Sequence, residues 1–395
     1  MSRPTCRIRR GRREPEGAEG KIVTEWRVRI CDLRASSALR QEIHDRLGDV
    51  LERGWYILGE EVKAFEEEFA AYLGVNHVVG AGSGTDAIHL ALRAEGIGGG
   101  DEVLTTPMTA VPTACGIALS GARPTFADID PGTGLLDVED AERRITPRTR
   151  AVIPVHLYGE CVPMDEILAL ARRHNLIIIE DAAQAHGARW KGRAAGTWGE
   201  YGCFSFYPTK NLGACGDGGA VVTPDPRRAE AIRRLRNYGQ VDRYRHESDG
   251  WNSRLDEMQA AVLRVKLPRL DEANETRRRL AARYRERLAG APVEPLRTDP
   301  RGVAVHHLLV VRCPDRDRLR EELAQRGIES QIHYPIPVHL QAAFQHLGYT
   351  RGAFPRAETF ADQILTLPLY PELPEDDVDT ICAAVRDILP AREEA

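Results

Sequence analysis

Lysine is scarce in this chain: five residues, at 21, 63, 191, 210 and 266, against 54 basic residues in all. Chemistry that needs a primary amine therefore has few places to go. Long apolar runs are also missing, and none approaches the roughly eighteen residues of a membrane span. None of the eight cysteines forms a Cys-x-x-Cys pair. Cys203 and Cys215 lack a histidine at zinc-finger spacing, so no metal site is expected, and the thiols read as reduced cysteines of a cytoplasmic protein. No Gly-x-Gly-x-x-Gly opens the first helix, which disfavours a dinucleotide fold. The formal net charge of −5 gives no reason to expect a nucleic-acid partner. Two arginine pairs near the start are followed by no apolar stretch. That excludes twin-arginine export and leaves residues 1–25 as an expected disordered tail.

What is present is an alternating α/β pattern. Helical periodicity runs from Ala38 to Leu73, broken at Gly54. Short strands follow at His77–Gly80, Asp101–Leu104, Arg123–Asp128, Ala151–Val155, Leu176–Asp181, Gly202–Phe206 and Gly219–Thr223. Helix-length stretches separate the earlier strands, which predicts a mostly parallel, doubly wound sheet in a large domain over 26–290. From Arg228 to Glu286 the pattern is mainly helical, and the arginine-rich run 277–287 reads as a solvated helix face. Strand-like Val303–Val311, a helix to about Gln325 and Glu329–Tyr334 suggest a smaller α+β domain over 291–395.

The stretch that organises the chain is Leu176-Ile-Ile-Ile-Glu-Asp-Ala-Ala-Gln-Ala-His186, followed by Phe204-Ser-Phe-Tyr-Pro-Thr-Lys-Asn-Leu-Gly213. A β-branched run that stops at two carboxylates reads as a buried parallel strand with Glu180 and Asp181 at its ligand-binding carboxyl end. A second strand leads into a Pro-containing loop that carries Lys210. An Asp at one strand end and a Lys at another suit pyridoxal 5'-phosphate (PLP). The lysine would hold the aldehyde as a Schiff base, and the carboxylate would keep the ring nitrogen protonated. Upstream, Ala81-Gly-Ser-Gly-Thr-Asp86 joins a strand to a helix, where unpaired N–H groups and the helix dipole favour a phosphate. Ser83 could equally be a plain helix cap. His156 and His186 are acid–base candidates, although a histidine after a strand is more often hydrogen-bonded structure.

These motifs, with Trp55-Tyr-Ile-Leu-Gly, Ser83-Gly-Thr-Asp-Ala-Ile, Gly99-Gly-Asp-Glu-Val, Pro154-Val-His-Leu-Tyr-Gly, Trp251-Asn-Ser-Arg-Leu-Asp and His333-Tyr-Pro-Ile-Pro-Val-His339, resemble the DegT/DnrJ/EryC1/StrS sugar aminotransferases from about Trp26 to Leu389. The resemblance implies the fold-type I aminotransferase architecture and a homodimer with shared sites. Lys210 then matches the Schiff-base lysine, Asp181 the partner of the pyridine nitrogen, and Gln184 the residue beside the ring oxygen. Gly84, Thr85 and Ser205 match phosphate-binding positions, Ala183 packs on one ring face, and Asn252 reaches the phosphate from the other subunit. His339, Tyr207 and Tyr334 are expected to border the substrate. Where many members carry a stacking aromatic, this chain has Ala110.

The implied activity is amino transfer from L-glutamate to a nucleotide-linked keto sugar. The wording Tyr-Pro-Thr-Lys-Asn-Leu-Gly is similar to members acting at C3 of dTDP-3-keto-6-deoxyhexoses. A free keto-cyclitol acceptor and a non-catalytic sensor or scaffold are the alternatives. The family's dehydratases carry His at the position of Lys210, which argues against that reading.

Overall fold

The computed structural model describes residues 26–390. The expected N-terminal tail, residues 1–25, lies outside the described residues. Seven strands form the main sheet: β1 (His77–Ala81), β2 (Glu102–Thr105), β3 (Arg123–Phe126), β4 (Thr149–Val152), β5 (Ile177–Asp181), β6 (Tyr201–Ser205) and β7 (Gly219–Thr223). Their order is β1-β7-β6-β5-β4-β2-β3. The pairs from β6 to β3 are parallel, while β7 runs antiparallel to both β1 and β6.

The reversal of β7 has a local cause. A parallel successor to β6 would need a crossover of a dozen or more residues, usually a helix. The chain instead turns straight back: the Phe206 N–H donates to Gly218 O at 2.8 Å, and the Ala214 N–H to Phe206 O at 2.8 Å. This loop carries Lys210, so the hairpin holds the lysine over the sheet end. It is also tight, since a Cβ on Gly213 would meet Pro208 O at 2.4 Å.

Helices cover both faces. The predicted helical stretch before β1 is two helices, Ser37–Arg53 and Glu60–Leu73, separated at Gly54, whose φ of 66° closes the first. The second has no side-chain cap of its own. The Glu257 carboxylate supplies one, accepting from the N–H groups of Gly59, Glu61 and Val62 at 2.8–2.9 Å. One apolar core lies under Phe65, Phe69, Phe204 and Phe206, and a second lies on the opposite face around Val79, Leu90, Val103 and Ile179.

A three-stranded antiparallel sheet, Glu294–Pro295, Leu309–Arg312 and Ile364–Leu367, packs with the helix Glu375–Ile388 around a third core. That core also takes Val28, Leu280 and Tyr284, while Phe344, Phe354 and Phe360 join the first core. Contacts therefore cross the expected boundary at 290 in both directions.

Two stretches depart from the expected elements. Within the supposedly helical 228–286, Gln240–Asp242 and Arg245–His246 form a small ribbon. Of Val303–Val311, only the end is a continuous strand. Val305 instead donates to Gly159 O at 2.9 Å, which pulls residues 303–308 onto the Tyr158 turn.

Candidate active site

The carboxyl ends of β5 and β6 open into a cavity of about 650 Å³, within the range of small-molecule sites. Its lining includes Gly84, Thr85, Asp181, Ala183, Gln184, Ser205, Tyr207, Lys210 and Tyr334. Nine of the eleven residues to which the family resemblance gives a role therefore meet in one place.

Asp181 is buried and oriented from both sides. Its Oδ2 accepts from Thr113 Oγ1 at 2.7 Å, its Oδ1 from the Ala183 N–H at 3.1 Å, and Thr113 is itself bonded to Thr109 at 2.8 Å. Gln184 is fixed likewise: its Oε1 accepts from the Tyr158 N–H at 2.7 Å, and its Nε2 donates to the Tyr334 hydroxyl at 3.1 Å. Both side chains are set before any ligand arrives.

Lys210 lines the same cavity, half-buried at its own surface but enclosed by the walls. Burial pushes its pKa down to about 8, against the pull of the Asp181 charge. The free amine that attacks an aldehyde is thus populated nearer neutrality than for an ordinary lysine. The other described lysines are elsewhere. Lys63 is exposed, Lys191 pairs with Asp165 at 2.9 Å, and Lys266 donates to Gly213 O at 2.7 Å.

The phosphate cradle is built from β1, the helix Gly84–Ala94 and the end of β6. Ser83 does cap the helix, accepting from the Asp86 N–H at 3.1 Å, and the same turn keeps the first-turn N–H groups that an anion would use. Gly84 is required by packing: a Cβ there would meet Ser205 Cβ at 2.7 Å. The donor set of helix N–H groups, Thr85 and Ser205, a carboxylate at the right strand end and a single lysine fits PLP. On the ring walls, Ala110 and Ala183 both line the cavity, and Ala110 also ends the loop before the helix Val111–Leu119.

Two expectations, for His339 and Arg277, need correction, while His186 and His156 take the structural reading favoured for a histidine after a strand. His339 does not line the cavity. Val338 is tied to Pro107 O at 2.8 Å, and the short turn Val338–Leu340 sends the imidazole inward to Glu358 at 3.0 Å, edge-on to Phe354. His186 is buried against Phe204 and Phe206 and does not line the cavity, and burial drives its pKa down to about 3. His156 is structural: its Nε2 donates to Glu180 at 2.9 Å and its Nδ1 accepts from the Val162 N–H at 3.1 Å. Finally, Arg277, assigned above to a solvated helix face, is buried and lines the cavity. Its helical phase carries that signal, since Leu270, Asn274, Arg277, Leu280 and Tyr284 share the buried stripe.

Asn252 is exposed and outside its own chain's cavity. It is not a helix cap either, because the next helix starts at Glu257 with Asp256 as its cap residue. Among the described residues, no cluster of three or more potential metal ligands occurs, and no helix is long and apolar enough to cross a membrane.

A mixed seven-stranded sheet with a lone lysine and an acidic residue at adjacent strand ends, above a helix-end phosphate cradle, defines a PLP-dependent aminotransferase of fold type I. Comparison with known proteins narrows this further. The sequence model of the DegT/DnrJ/EryC1/StrS aminotransferase family matches residues 37–386, and the chain belongs to that family. It is 49% identical over 367 residues to the dTDP-3-amino-3,4,6-trideoxy-alpha-D-glucose transaminase of Streptomyces venezuelae, covering 91% of this chain and 96% of the relative. It is 46% identical over 361 residues to the erythromycin biosynthesis sensory transduction protein EryC1 of Saccharopolyspora erythraea, covering 91% of this chain and 98% of that one. The crystal structure of S. venezuelae DesV in complex with a ketimine intermediate superposes with a TM-score of 0.90 at 48% identity, over 93% of this chain and 99% of that chain.

Proposed function

We propose that the enzyme transfers the amino group of L-glutamate to C3 of a dTDP-linked 3-keto-6-deoxyhexose in amino-sugar biosynthesis. The observation that carries the reading is the cavity itself, where Lys210, Asp181 and the Gly84–Thr85 cradle converge. The near-full-length likeness to a transaminase of a dTDP-3-amino sugar supports the choice of acceptor.

Bound there, the cofactor supplies an aldehyde and an electron-accepting ring. Lys210 Nζ would hold that aldehyde and, once displaced by an incoming amine, carry the proton on and off the substrate carbon. Asp181 would hold the proton on the ring nitrogen. Its two fixed hydrogen bonds leave the carboxylate no freedom to turn away. Gly84, Thr85 and Ser205 would anchor the phosphate dianion, and Gln184 would orient the ring oxygen. Tyr207 and Tyr334 would border the sugar.

The test is incubation of the purified holoenzyme with L-glutamate and a panel of keto sugars and keto-cyclitols, read by mass. The reading requires a one-unit mass increase on the dTDP-3-keto sugar, as oxygen is exchanged for NH₂ plus hydrogen. Amination of a free cyclitol alone would overturn the acceptor, and a protein with no PLP absorbance band would revive the sensor reading.

The site is proposed to be completed by a second copy of the chain. Trp55, Tyr56, Tyr238, Tyr244 and Trp251 are exposed large aromatics, several of them close in sequence to Asn252, an unusual concentration for a free surface. Asn252 would reach the partner's phosphate. Mixing Lys210→Ala chains with Asn252→Ala chains should then restore part of the activity, because one site of each heterodimer is intact. No recovery beyond the sum of the two homodimers would place Asn252 outside the shared site.

A further inference from the structure

Two charged groups on the cavity wall, Asp217 and Arg277, are used by none of these roles, and Arg277 is the cation of the two. Arg277 is 5% exposed and lines the cavity beside Cys31, Gln331 and Leu369. Its Nη1 donates to Leu369 O at 2.9 Å, with the carbonyls of His306 and His307 further off at 3.4 and 3.5 Å. Nε is buried and donates to nothing. Among the described residues, no bond from Nη2 is made and no carboxylate stands within ion-pair distance. Burial lowers the pKa to about 10, opposed only by the longer-range influence of Cys31 and Glu372.

A buried guanidinium without an anion is costly to keep. The cost is removed if the anion arrives with a ligand. The unused donors, Nε and Nη2, form one edge of the planar fork, the edge that accepts a carboxylate through two parallel N–H···O bonds. The Nη1 tie to Leu369 holds the plane fixed. His307 links this end of the cavity to the lysine: burial and the charges of Lys210 and Arg277 together push its pKa well below the usual value, so a neutral imidazole is within the field of both. His307 is itself held, its Nδ1 lying 3.1 Å from Asn211 Oδ1.

We propose that Arg277 is the binding residue for a carboxylate of the amino-acid donor. The proposal rests on the transaminase reading and adds the donor's subsite to it. The donor must bring its amine to Lys210 and its carboxylate with it, and Arg277 is the one described cation besides Lys210 that lines this cavity. The acceptor carries its charge as a diphosphate with a nucleoside beyond it, remote from the reacting carbon, and such a group needs an open end to the site. A 5% exposed guanidinium does not offer one.

The two half-reactions separate the roles. Holoenzymes carrying Arg277→Gln and Arg277→Lys are treated with L-glutamate, or with the nucleotide-linked amino sugar, and loss of the lysine-bound cofactor absorbance is followed in single turnovers. Arg277→Gln should raise the glutamate concentration for half-maximal conversion about 10- to 100-fold, the loss of one charge-assisted pair. Conversion by the amino sugar should stay within about threefold, because that substrate has no carboxylate for this residue. Arg277→Lys should recover part of the loss. Glutarate, as a carboxylate probe without an amine, should compete with glutamate in the wild type and bind at least about tenfold more weakly to Arg277→Lys. If Arg277→Gln fails to hold PLP, this glutarate comparison decides.

Equal losses in both half-reactions, an unchanged glutamate dependence, or glutarate binding equally to both enzymes would each overturn the anchor. Failure of the underlying reading looks different: the wild type itself would then leave the cofactor band unchanged with every amine.

Discussion

Replacing Lys210 with alanine is expected to lower turnover by about 1,000-fold or more, since the same Nζ holds the cofactor and moves the proton. At about 1.36 kcal/mol per tenfold, that is a loss of roughly 4 kcal/mol of transition-state stabilisation. The fold should not suffer. The Lys210 pKa is about 8 in the folded chain, below its ordinary value of 10.5. The charged form is therefore disfavoured by folding. The cost is full below about pH 8 and fades as pH rises towards the unfolded value. Alanine removes it, so at pH 7 the cofactor-free variant should melt no lower than the cofactor-free wild type. Near-normal turnover by Lys210→Ala, measured with added PLP, would remove this lysine from the chemistry.

Asp181→Asn should reduce turnover by about 100- to 1,000-fold, the scale seen when a charge-stabilising partner is lost from a closed site. A neutral amide cannot keep the proton on a pyridine nitrogen. The substitution is otherwise well accommodated. The amide oxygen can keep the Ala183 N–H, and the new NH₂ faces Thr113 Oγ1, whose hydroxyl can turn to donate to Thr109 instead. PLP should therefore still bind, and its absorbance should show it. A variant that binds PLP and turns over at near wild-type rate would refute the role given to Asp181.

Much of the fold was legible because the strands are short, apolar and bounded by turn residues. The predicted Gly219–Thr223 matches the observed strand at both ends. The ribbon at 240–246 was missed because its residues are polar and exposed and carry no alternation. The reversed β7 is invisible to periodicity, which gives a strand but not its direction. The available clue was the composition of the Lys210 loop, where Pro208, Gly213, Gly216 and Gly218 leave no room for a crossover helix.

Within the site, strand-end residues were readable because a motif fixes their position on an element whose end faces the cavity. His339 failed for the opposite reason: it follows two prolines on a short turn, and nothing local sets the direction of its ring. Arg277 was obscured by its neighbours. Arg278 and Arg279 make exposed ion pairs, and only the helical phase distinguishes the inward arginine from them.

The central claim is that one lysine of this chain carries the cofactor in the cavity above β5 and β6. Borohydride reduction of the purified holoenzyme fixes the pyridoxyl group where it sits, and peptide mapping by mass locates it. The account predicts the modification on Lys210, within the peptide spanning Phe204 to Gly213. Recovery of the pyridoxyl group on Lys191 or Lys266 would contradict it.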